Sequence, residues 1–140
     1  MPETPETFTG GCVCGAVRYE CNARPLAMLK CHCRDCQQVS GGPYTPVVYM
    51  PPGSLRFTKG TPAYFDTPSE AGGTNHRSFC ATCGSRLTGA ESENGIGVTA
   101  SSLDDPSWYK PRVEIWTCDA QPWDVLDPAL RKFEKYPPLG

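Results

Sequence analysis

Short runs of apolar and β-branched residues recur along the chain, separated by turns rich in glycine and proline. Turn residues occur, for example, at 10–11, 41–43, 51–53 and 94–95. Several short runs at this spacing, with no long helical period between them, are typical of an all-β domain. The pattern therefore predicts a mostly β fold of small antiparallel sheets. The eight predicted strands are Ala16–Tyr19, Leu26–Leu29, Tyr44–Met50, Leu55–Thr58, Ala63–Phe65, His76–Phe79, Ile96–Thr99 and Val113–Trp116.

The two ends of the chain depart from this strand pattern. Residues 1–9 are polar and carry proline, which predicts a flexible N-terminal arm and leaves residues 10–140 as a single domain. Near the other end, Asp127 is a good N-cap, Pro128 fits the first helical position, and basic residues follow in the last turn. We therefore expect a short C-terminal helix at Asp127–Phe133.

The composition indicates that apolar burial alone is a weak source of stability. Leu, Ile, Val and Phe make up only about 16% of the chain, below a level of ~20% that, with a high net charge, indicates disorder. The formal net charge is only −2, so disorder is not indicated. Nine cysteines offer another source of stability, because chains with weak cores commonly add disulfides or a structural metal.

The composition also excludes several classes of protein. The longest apolar run, Val47–Met50, is far shorter than the ~18 residues of a membrane span, so we expect no membrane partner. The N-terminus has neither the basic start nor the apolar core of a signal peptide, so we expect a cytoplasmic protein. Clustered thiols in that compartment are typical of metal or redox sites. The near-neutral charge, without a basic stripe, argues against a nucleic-acid partner.

Seven of the nine cysteines lie in three motifs. Thiolates two or three residues apart can converge on one ion, with zinc–sulfur distances of ~2.3 Å, usually from a tight turn. Seven such ligands divide most simply into four and three. The first and third motifs form the four-cysteine cluster, Cys12, Cys14, Cys80 and Cys83. The middle motif forms the three-cysteine cluster, Cys31, Cys33 and Cys36.

The two clusters predict two zinc ions per chain with different roles. Four thiolates close the coordination of zinc, so we expect the four-cysteine cluster to hold a structural ion. Three thiolates leave a fourth position for water or a substrate atom, so we expect the catalytic site at the three-cysteine cluster. Other interpretations stay open. The four cysteines could form disulfides or be buried thiols, and the three could form a second structural site or a redox centre.

Four further residues have less specific interpretations. His32 points away from its two cysteine neighbours in an extended chain, which favours a supporting role over metal ligation. Cys21 and Cys118 have no partner at ligand spacing, so we expect both to be small buried hydrophobes. His76 is expected to be an ordinary strand or loop residue.

The three motifs and their order resemble the glutathione-dependent formaldehyde-activating enzyme family, which also contains centromere-protein-V-like proteins. The resemblance runs from about Gly10 to Trp123, nearly the whole chain, and three ordered cysteine motifs are far more specific than one. The segments that carry the resemblance are Gly10–Tyr19, Cys31–Gly41, Arg77–Ser85 and Ser102–Pro106.

The resemblance implies a fold of small antiparallel sheets in a β-tent arrangement. It also implies that the first and third motifs share a structural zinc, and that the middle motif holds a second zinc where glutathione-linked chemistry occurs. The implied activity is that of S-(hydroxymethyl)glutathione synthase, a carbon–sulfur lyase acting on the adduct of formaldehyde and glutathione. A small-molecule thiol or thiol adduct is thus the expected partner, with glutathione as a possible co-substrate.

The sequence also differs from the family pattern. Glu114 stands where relatives often carry a histidine ahead of a hydrophobic pair, which would alter proton handling if that imidazole served there. Arg18, Arg77 and Arg86 could bind glutathione carboxylates, or they could be solvated strand residues or members of internal ion pairs.

Sulfur chemistry is the reaction class that the residues favour. Three thiolate ligands make zinc a poorer Lewis acid than three histidines would, while coordination lowers the pKa of a bound thiol. The alternative function is a non-catalytic zinc-binding interaction module. The centromere-protein-V branch of the family and the aromatic, proline-containing stretch Trp108–Trp123 support this alternative.

Overall fold

The computed structural model describes residues 3–70 and 72–137. Within them the chain forms eleven strands, a single α-helix and three 3₁₀ turns. The strands are β1 (Phe8–Gly11), β2 (Arg18–Cys21), β3 (Ala27–Cys31), β4 (Thr45–Met50), β5 (Leu55–Lys59), β6 (Ala63–Pro68), β7 (Thr74–Phe79), β8 (Arg86–Ser92), β9 (Gly95–Thr99), β10 (Val113–Ile115) and β11 (Arg131–Lys132). The helix α1 is Arg34–Ser40, and the 3₁₀ turns are Ala100–Ser102, Pro106–Trp108 and Thr117–Asp119.

The strands form two sheets. One is three-stranded, in the order β1-β2-β5, and the other is eight-stranded, in the order β11-β10-β3-β4-β9-β8-β7-β6. Pairing is antiparallel except around β10, which runs parallel to both of its neighbours, β3 and β11. The prediction of a mostly β fold is confirmed, and all eight predicted runs overlap strands. The strands β1, β8 and β11 were not among the predicted runs.

The predicted C-terminal helix is wrong. Asp127 does accept a hydrogen bond from Ala129 N, at 2.8 Å, but the chain forms a turn there and continues as β11. Phe133 packs against the small core around Trp116, and its N–H donates to Glu114 O at 2.9 Å. A seven-residue helix is marginal by itself, so strand pairing and this burial override the local capping signals.

The helix α1 was not predicted from the sequence. It begins after Cys33, whose Sγ accepts a hydrogen bond from the backbone N–H of Cys36 at 3.2 Å. It ends at Gly41, which has a φ of 71° and donates to Gln37 O at 3.0 Å, a left-handed termination that suits glycine. Two of the three cysteines of the middle motif therefore lie at the start of this helix.

The interior has two apolar cores, and each borders one cysteine cluster. The larger core includes the fully buried Tyr19, whose hydroxyl hydrogen-bonds Ser102 Oγ at 2.6 Å, and it reaches Cys12 and Cys80. The smaller core joins Cys31 and Cys36 to Ile115 and Trp116. The other large apolar side chains of the larger core are those of Val17, Val48, Met50, Leu87, Ile96, Val98, Leu103 and Trp108.

A close approach at Gly60 holds the first cysteine turn against the rest of the molecule. Gly60 has a φ of 69°, and a Cβ atom there would lie 2.1 Å from Ala16 O. Only glycine fits both the positive φ and this contact. The turn between β5 and β6 thus packs directly on the backbone that follows the first motif.

The paired structure begins near the N-terminus. β1 starts at Phe8, within the segment 1–9 predicted as an arm, and the Phe8 ring packs on Trp108 with centroids 4.9 Å apart. Glu6 pairs with Arg24 at 3.2 Å. The flexibility of the arm and the single domain at 10–140 stay predictions. In the described part of the chain, no helix has the length and apolarity needed to cross a membrane.

Candidate metal centres

The four-cysteine cluster is built from two tight turns that are distant in sequence and close in space. Cys12 and Cys14 lie in the turn after β1, and Cys80 and Cys83 lie in the turn after β7. A glycine closes each turn. Gly15, with a φ of 80°, donates to the Cys12 carbonyl at 3.1 Å, and Gly84, with a φ of 81°, donates to the Cys80 carbonyl at 2.8 Å. The positive φ at both positions is the reason that glycine follows each motif.

The four sulfurs have the spacing of a tetrahedral zinc site. All lie within 4.8 Å of one another, with Sγ–Sγ distances of 3.6 Å from Cys12 to Cys14 and 3.7 Å from Cys14 to Cys80. Sulfurs at ~2.3 Å from a tetrahedral ion are about 3.8 Å apart. All nine cysteines are free, and a disulfide would need ~2.05 Å. The structure thus does not show the disulfide alternative.

Ser85 links the two halves of the four-cysteine cluster. Its hydroxyl contacts Cys83 Sγ at 3.2 Å and accepts a hydrogen bond from Val13 N at 3.0 Å, so it joins the third motif to the first. Hydrogen bonds from the side chain and backbone of Ser85 lower the pKa of the Cys83 thiol to about 5. Val17 N donates to Cys12 Sγ at 3.2 Å. Such N–H and O–H donors favour thiolates, the form that binds a metal.

The three-cysteine cluster is local in sequence. Cys31 ends β3, Cys33 caps α1, and Cys36 lies in the first turn of that helix. The three sulfurs lie within 4.8 Å of one another. Cys31 and Cys36 are buried and Cys33 is half-buried. The donor set fits zinc, which binds thiolates well, and it leaves one of four tetrahedral positions to a group from elsewhere.

The close approach of the three thiols shifts their pKa values in different directions. Hydrogen bonds from the Cys31 and Cys33 side chains lower the pKa of Cys36 to about 3, and a hydrogen bond from Thr45 and the charge of Arg77 act in the same direction. Contact with the Cys33 and Cys36 side chains, together with burial, raises the pKa of Cys31. Three anionic sulfurs are thus costly together without a cation, and a divalent ion would remove that cost.

Arg77 of β7 reaches the three-cysteine cluster from a distant part of the sequence. Its Nη2 lies 3.8 Å from Cys36 Sγ and 4.0 Å from Cys33 Sγ. Its Nη1 donates to Thr67 Oγ1 at 3.2 Å and lies 3.6 Å from Asp35 Oδ2. Arg77 therefore places positive charge against the thiols through Nη2, while Thr67 and Asp35 hold its Nη1.

A cavity of about 230 Å³ opens beside Arg77. It lies between α1 and the strands β6, β7 and β8. Its lining includes two of the three arginines considered from the sequence. The third, Arg18, instead forms a two-point ion pair with Asp104. The lining residues are Asp35, Gln38, Val39, Phe65, Thr67, Arg77 and Arg86.

A buried group of polar side chains surrounds His32, which lies between the first two cysteines of the three-cysteine cluster. The His32 ring is fully buried, and its Nε2 hydrogen-bonds Glu114 Oε1 at 3.0 Å, while Nδ1 lies 3.3 Å from Asp124 Oδ2. The side chain of His32 thus supports the fold and is not among the clustered ligand atoms, as predicted. Gln37 Nε2 donates to His32 O at 2.6 Å and so fixes the backbone between the first two cysteines.

The isolated residues have mixed outcomes. Cys21 is fully buried, as predicted, but the prediction of a buried Cys118 is wrong. Trp116 is buried and has a φ of 58°, and Cys118 lies exposed in the 3₁₀ turn that begins at the next residue. His76 is an exposed residue of β7 that pairs with Asp66, which confirms its interpretation as an ordinary strand residue.

The sequence did not single out several residues around the cavity. Asp35 of α1 and Phe65 and Thr67 of β6 line the cavity, and Asp124, from a third segment, lies against His32. Asp35 lies within the C-x-x-C spacing of the middle motif, which was the one available signal for its position. The other three reach the site only through the register of strands and loops.

Comparison with known proteins identifies the family. The model of the glutathione-dependent formaldehyde-activating enzyme family matches residues 7–119, a region that includes both clusters. The chain belongs to that family, which confirms the resemblance in the sequence. A protein of Rhodobacter sphaeroides with a crystal structure is similar in fold, with a TM-score of 0.56 at 21% identity over 69% of this chain and 88% of that chain. No curated protein matches the sequence significantly.

Proposed function

We propose that the protein is a zinc-dependent carbon–sulfur lyase that acts on a glutathione or other thiol adduct, as S-(hydroxymethyl)glutathione synthase does. The observation that carries the proposal is the three-cysteine cluster, where three sulfurs converge next to a cavity lined by Arg77. Three protein ligands are the number typical of catalytic zinc, which keeps a position for a reacting group. Membership of the family supports the reaction class.

Two zinc ions per chain belong to this proposal. Cys12, Cys14, Cys80 and Cys83 would hold a structural ion, and Cys31, Cys33 and Cys36 would hold the ion at the catalytic site. The tetrahedral spacing of the first four sulfurs supports the first assignment. The convergence of the other three beside the cavity supports the second.

The reaction needs a sulfur atom that can leave and attack as an anion. In the lyase direction the carbon–sulfur bond breaks, its electron pair goes to sulfur, and the hydroxymethyl oxygen loses its proton to solvent and becomes the carbonyl of formaldehyde. A zinc ion held by Cys31, Cys33 and Cys36 would stabilise a thiolate at neutral pH. The Arg77 guanidinium adds an N–H donor and a positive charge on the cavity side of the cluster. Asp35 and Thr67 hold that guanidinium in place.

The test is exchange NMR on a mixture of glutathione and formaldehyde with the zinc-loaded protein. The interconversion is expected to be faster than in the uncatalysed mixture, and Cys36→Ala is expected to abolish the gain because it removes a buried ligand. Cys118→Ala is the matched control, since this exposed cysteine lies outside both clusters. Elemental analysis is expected to give two zinc ions per wild-type chain and one in Cys36→Ala.

Other outcomes are equally informative. Binding of thiols without faster exchange would keep the open site and move the substrate to another carbon–sulfur compound. If the fully loaded protein binds no thiol at all, the catalytic proposal fails and the alternative of a non-catalytic zinc-binding interaction module is favoured.

A further inference from the structure

Strand register places two guanidiniums on one wall of the cavity. Arg77 of β7 lies opposite Phe65 of β6. Phe79 of β7 lies opposite Arg86 of β8, and the Arg86 guanidinium covers the Phe79 ring at 5.1 Å. The register of β7 against β8 shifts between Ser78 and Phe79, and this irregularity brings Arg86 opposite Phe79. Both arginines therefore reach the cavity together with the apolar ring of Phe65.

The two arginines differ in what they already bind. Arg77 is engaged by two thiols, by Thr67 and by Asp35. Among the described residues no carboxylate forms an ion pair with Arg86, and its guanidinium lies over the face of the Phe79 ring. Arg86 is also only half-buried, so its planar fork is available to a ligand in the cavity. This fork matches a carboxylate, which it can bind through two parallel hydrogen bonds.

We propose that this cavity is a carboxylate subsite, an inference that rests on the proposed function. Arg86 binds the carboxylate of a small thiol acid, and Arg77 donates to the sulfur that joins the three-cysteine cluster. The cavity of about 230 Å³ is smaller than the ~300–1,000 Å³ of pockets that enclose drug-sized ligands. It therefore accommodates a short acidic arm of a few atoms beyond the sulfur, and the rest of a larger thiol would lie outside.

The test compares two thiols of nearly the same shape. The probes are 3-mercaptopropionate and its neutral analogue 3-mercaptopropionamide, each titrated into cobalt-substituted protein while the sulfur-to-cobalt absorption band is recorded. For Arg86→Gln, binding of the acid is expected to weaken about tenfold, as for loss of a charged hydrogen bond, and binding of the amide to change less than about twofold. The ratio of variant to wild type is taken for each probe separately, so the different thiol pKa values of the probes cancel.

Two further variants separate charge from structure. Arg86→Lys keeps the charge without the fork, and its affinity for the acid is expected to lie between those of wild type and Arg86→Gln. Arg56→Gln is the matched control, because Arg56 lies in β5 of the other sheet, is 72% exposed and pairs with Glu20. This control is expected to change neither affinity. Metal content of every variant shows whether both clusters are intact.

Arg77 is expected to act on both probes alike. Arg77→Gln removes the charge that faces the sulfurs, so the acid and the amide are expected to weaken by the same factor. Equal weakening of both probes in Arg86→Gln, or no weakening of either, would overturn the carboxylate subsite while leaving the proposed function intact. If both probes fail to bind the wild-type protein while glutathione binds, this inference is overturned and the proposed function stands. If glutathione also fails to bind, both are overturned.

Discussion

The two cysteine clusters differ in how far along the chain their ligands come from and in what holds them together. The four-cysteine cluster joins two turns, and Cys14 and Cys80 are 66 residues apart in sequence. Its four sulfurs lie within 4.8 Å of one another. The three-cysteine cluster spans only Cys31 to Cys36, and it depends on Arg77 and on the buried His32 group for its surroundings. A long-range site with a full set of ligands can cross-link the fold, whereas a local site with an incomplete set needs the fold to shape it.

The largest effect is expected for Cys80→Ala. Structural zinc sites can contribute about 10 kcal/mol or more, as much as the whole stability of a typical domain. Loss of one of four ligands is therefore expected to abolish cooperative unfolding and to release one zinc ion. Circular dichroism during thermal unfolding, with zinc analysis, measures both.

The matched control for Cys80→Ala is Cys21→Ala. Both cysteines are fully buried, but Cys21 belongs to neither cluster. Its replacement is expected to cost about 1 kcal/mol, as for an ordinary buried substitution. Equal unfolding curves for the two variants would show that the four-cysteine cluster does not stabilise the fold.

A smaller effect is expected on the supporting side of the three-cysteine cluster. Glu114→Ala would leave the buried His32 Nε2 without its acceptor, at a cost of about 3 kcal/mol in urea unfolding. The backbone between Cys31 and Cys33 would be less well fixed, so a chelator is expected to remove one zinc ion more easily. Glu114→Gln keeps an acceptor oxygen and is expected to lose less stability. A loss confined to the other zinc ion would contradict this assignment.

Cys33→Ser sharpens the comparison further. We expect this variant to lose the zinc ion of the three-cysteine cluster and to unfold only about 1–2 kcal/mol more easily, because the half-buried Cys33 side chain supports little packing. Cys118→Ser is the control and should retain two zinc ions. If Cys33→Ser unfolds the protein as severely as Cys80→Ala, the division into a structural and a catalytic site is wrong.

The smallest effect concerns an ion pair near the four-cysteine cluster. Hydrogen bonds from Arg18 and, to a smaller extent, from Thr9 lower the pKa of Asp104 from 3.8 to about 2. A lowered pKa adds stability above the unfolded value, and this contribution is lost as the pH falls from about 4 to about 2. Asp104 is 45% exposed, so its contribution at pH 7 is below about 1 kcal/mol. Urea unfolding of the wild type and Asp104→Asn should show a difference that shrinks below pH 4.

The strands and the grouping of the cysteines could be predicted because both follow from local spacing. Turn residues separate the predicted strands, and the three motifs divide into the same four and three that the sulfur positions show. The helix α1 was missed because its N-cap is Cys33, and cysteine is not a residue typical of that position. The predicted helix at Asp127–Phe133 had good capping residues. No local feature of the sequence indicates that Arg131 and Lys132 pair with β10 instead.

The cavity could not be predicted, since its composition depends on register. Arg77 was only one of three candidate arginines in the sequence. Its selection depends on the pairing of Phe65 with Arg77 across β6 and β7, and on the contact of α1 with that face. A shift of one residue in either strand would turn these side chains to the opposite side of the sheet.

The parallel pairing of β10 with β3 has a consequence for the order in which the nascent chain would acquire the two proposed zinc ions. The last cysteine of the four-cysteine cluster is residue 83. The backbone of Cys31 pairs early with Thr45 of β4, but it gains its second β-sheet neighbour only when Ile115 has been made. At ~5–20 residues per second, translation of these roughly 30 residues takes about 2 to 6 seconds. During that interval the middle motif is synthesised but lacks its final neighbours. We therefore expect the four-cysteine cluster to bind its ion first and the thiols of the three-cysteine cluster to be enclosed last.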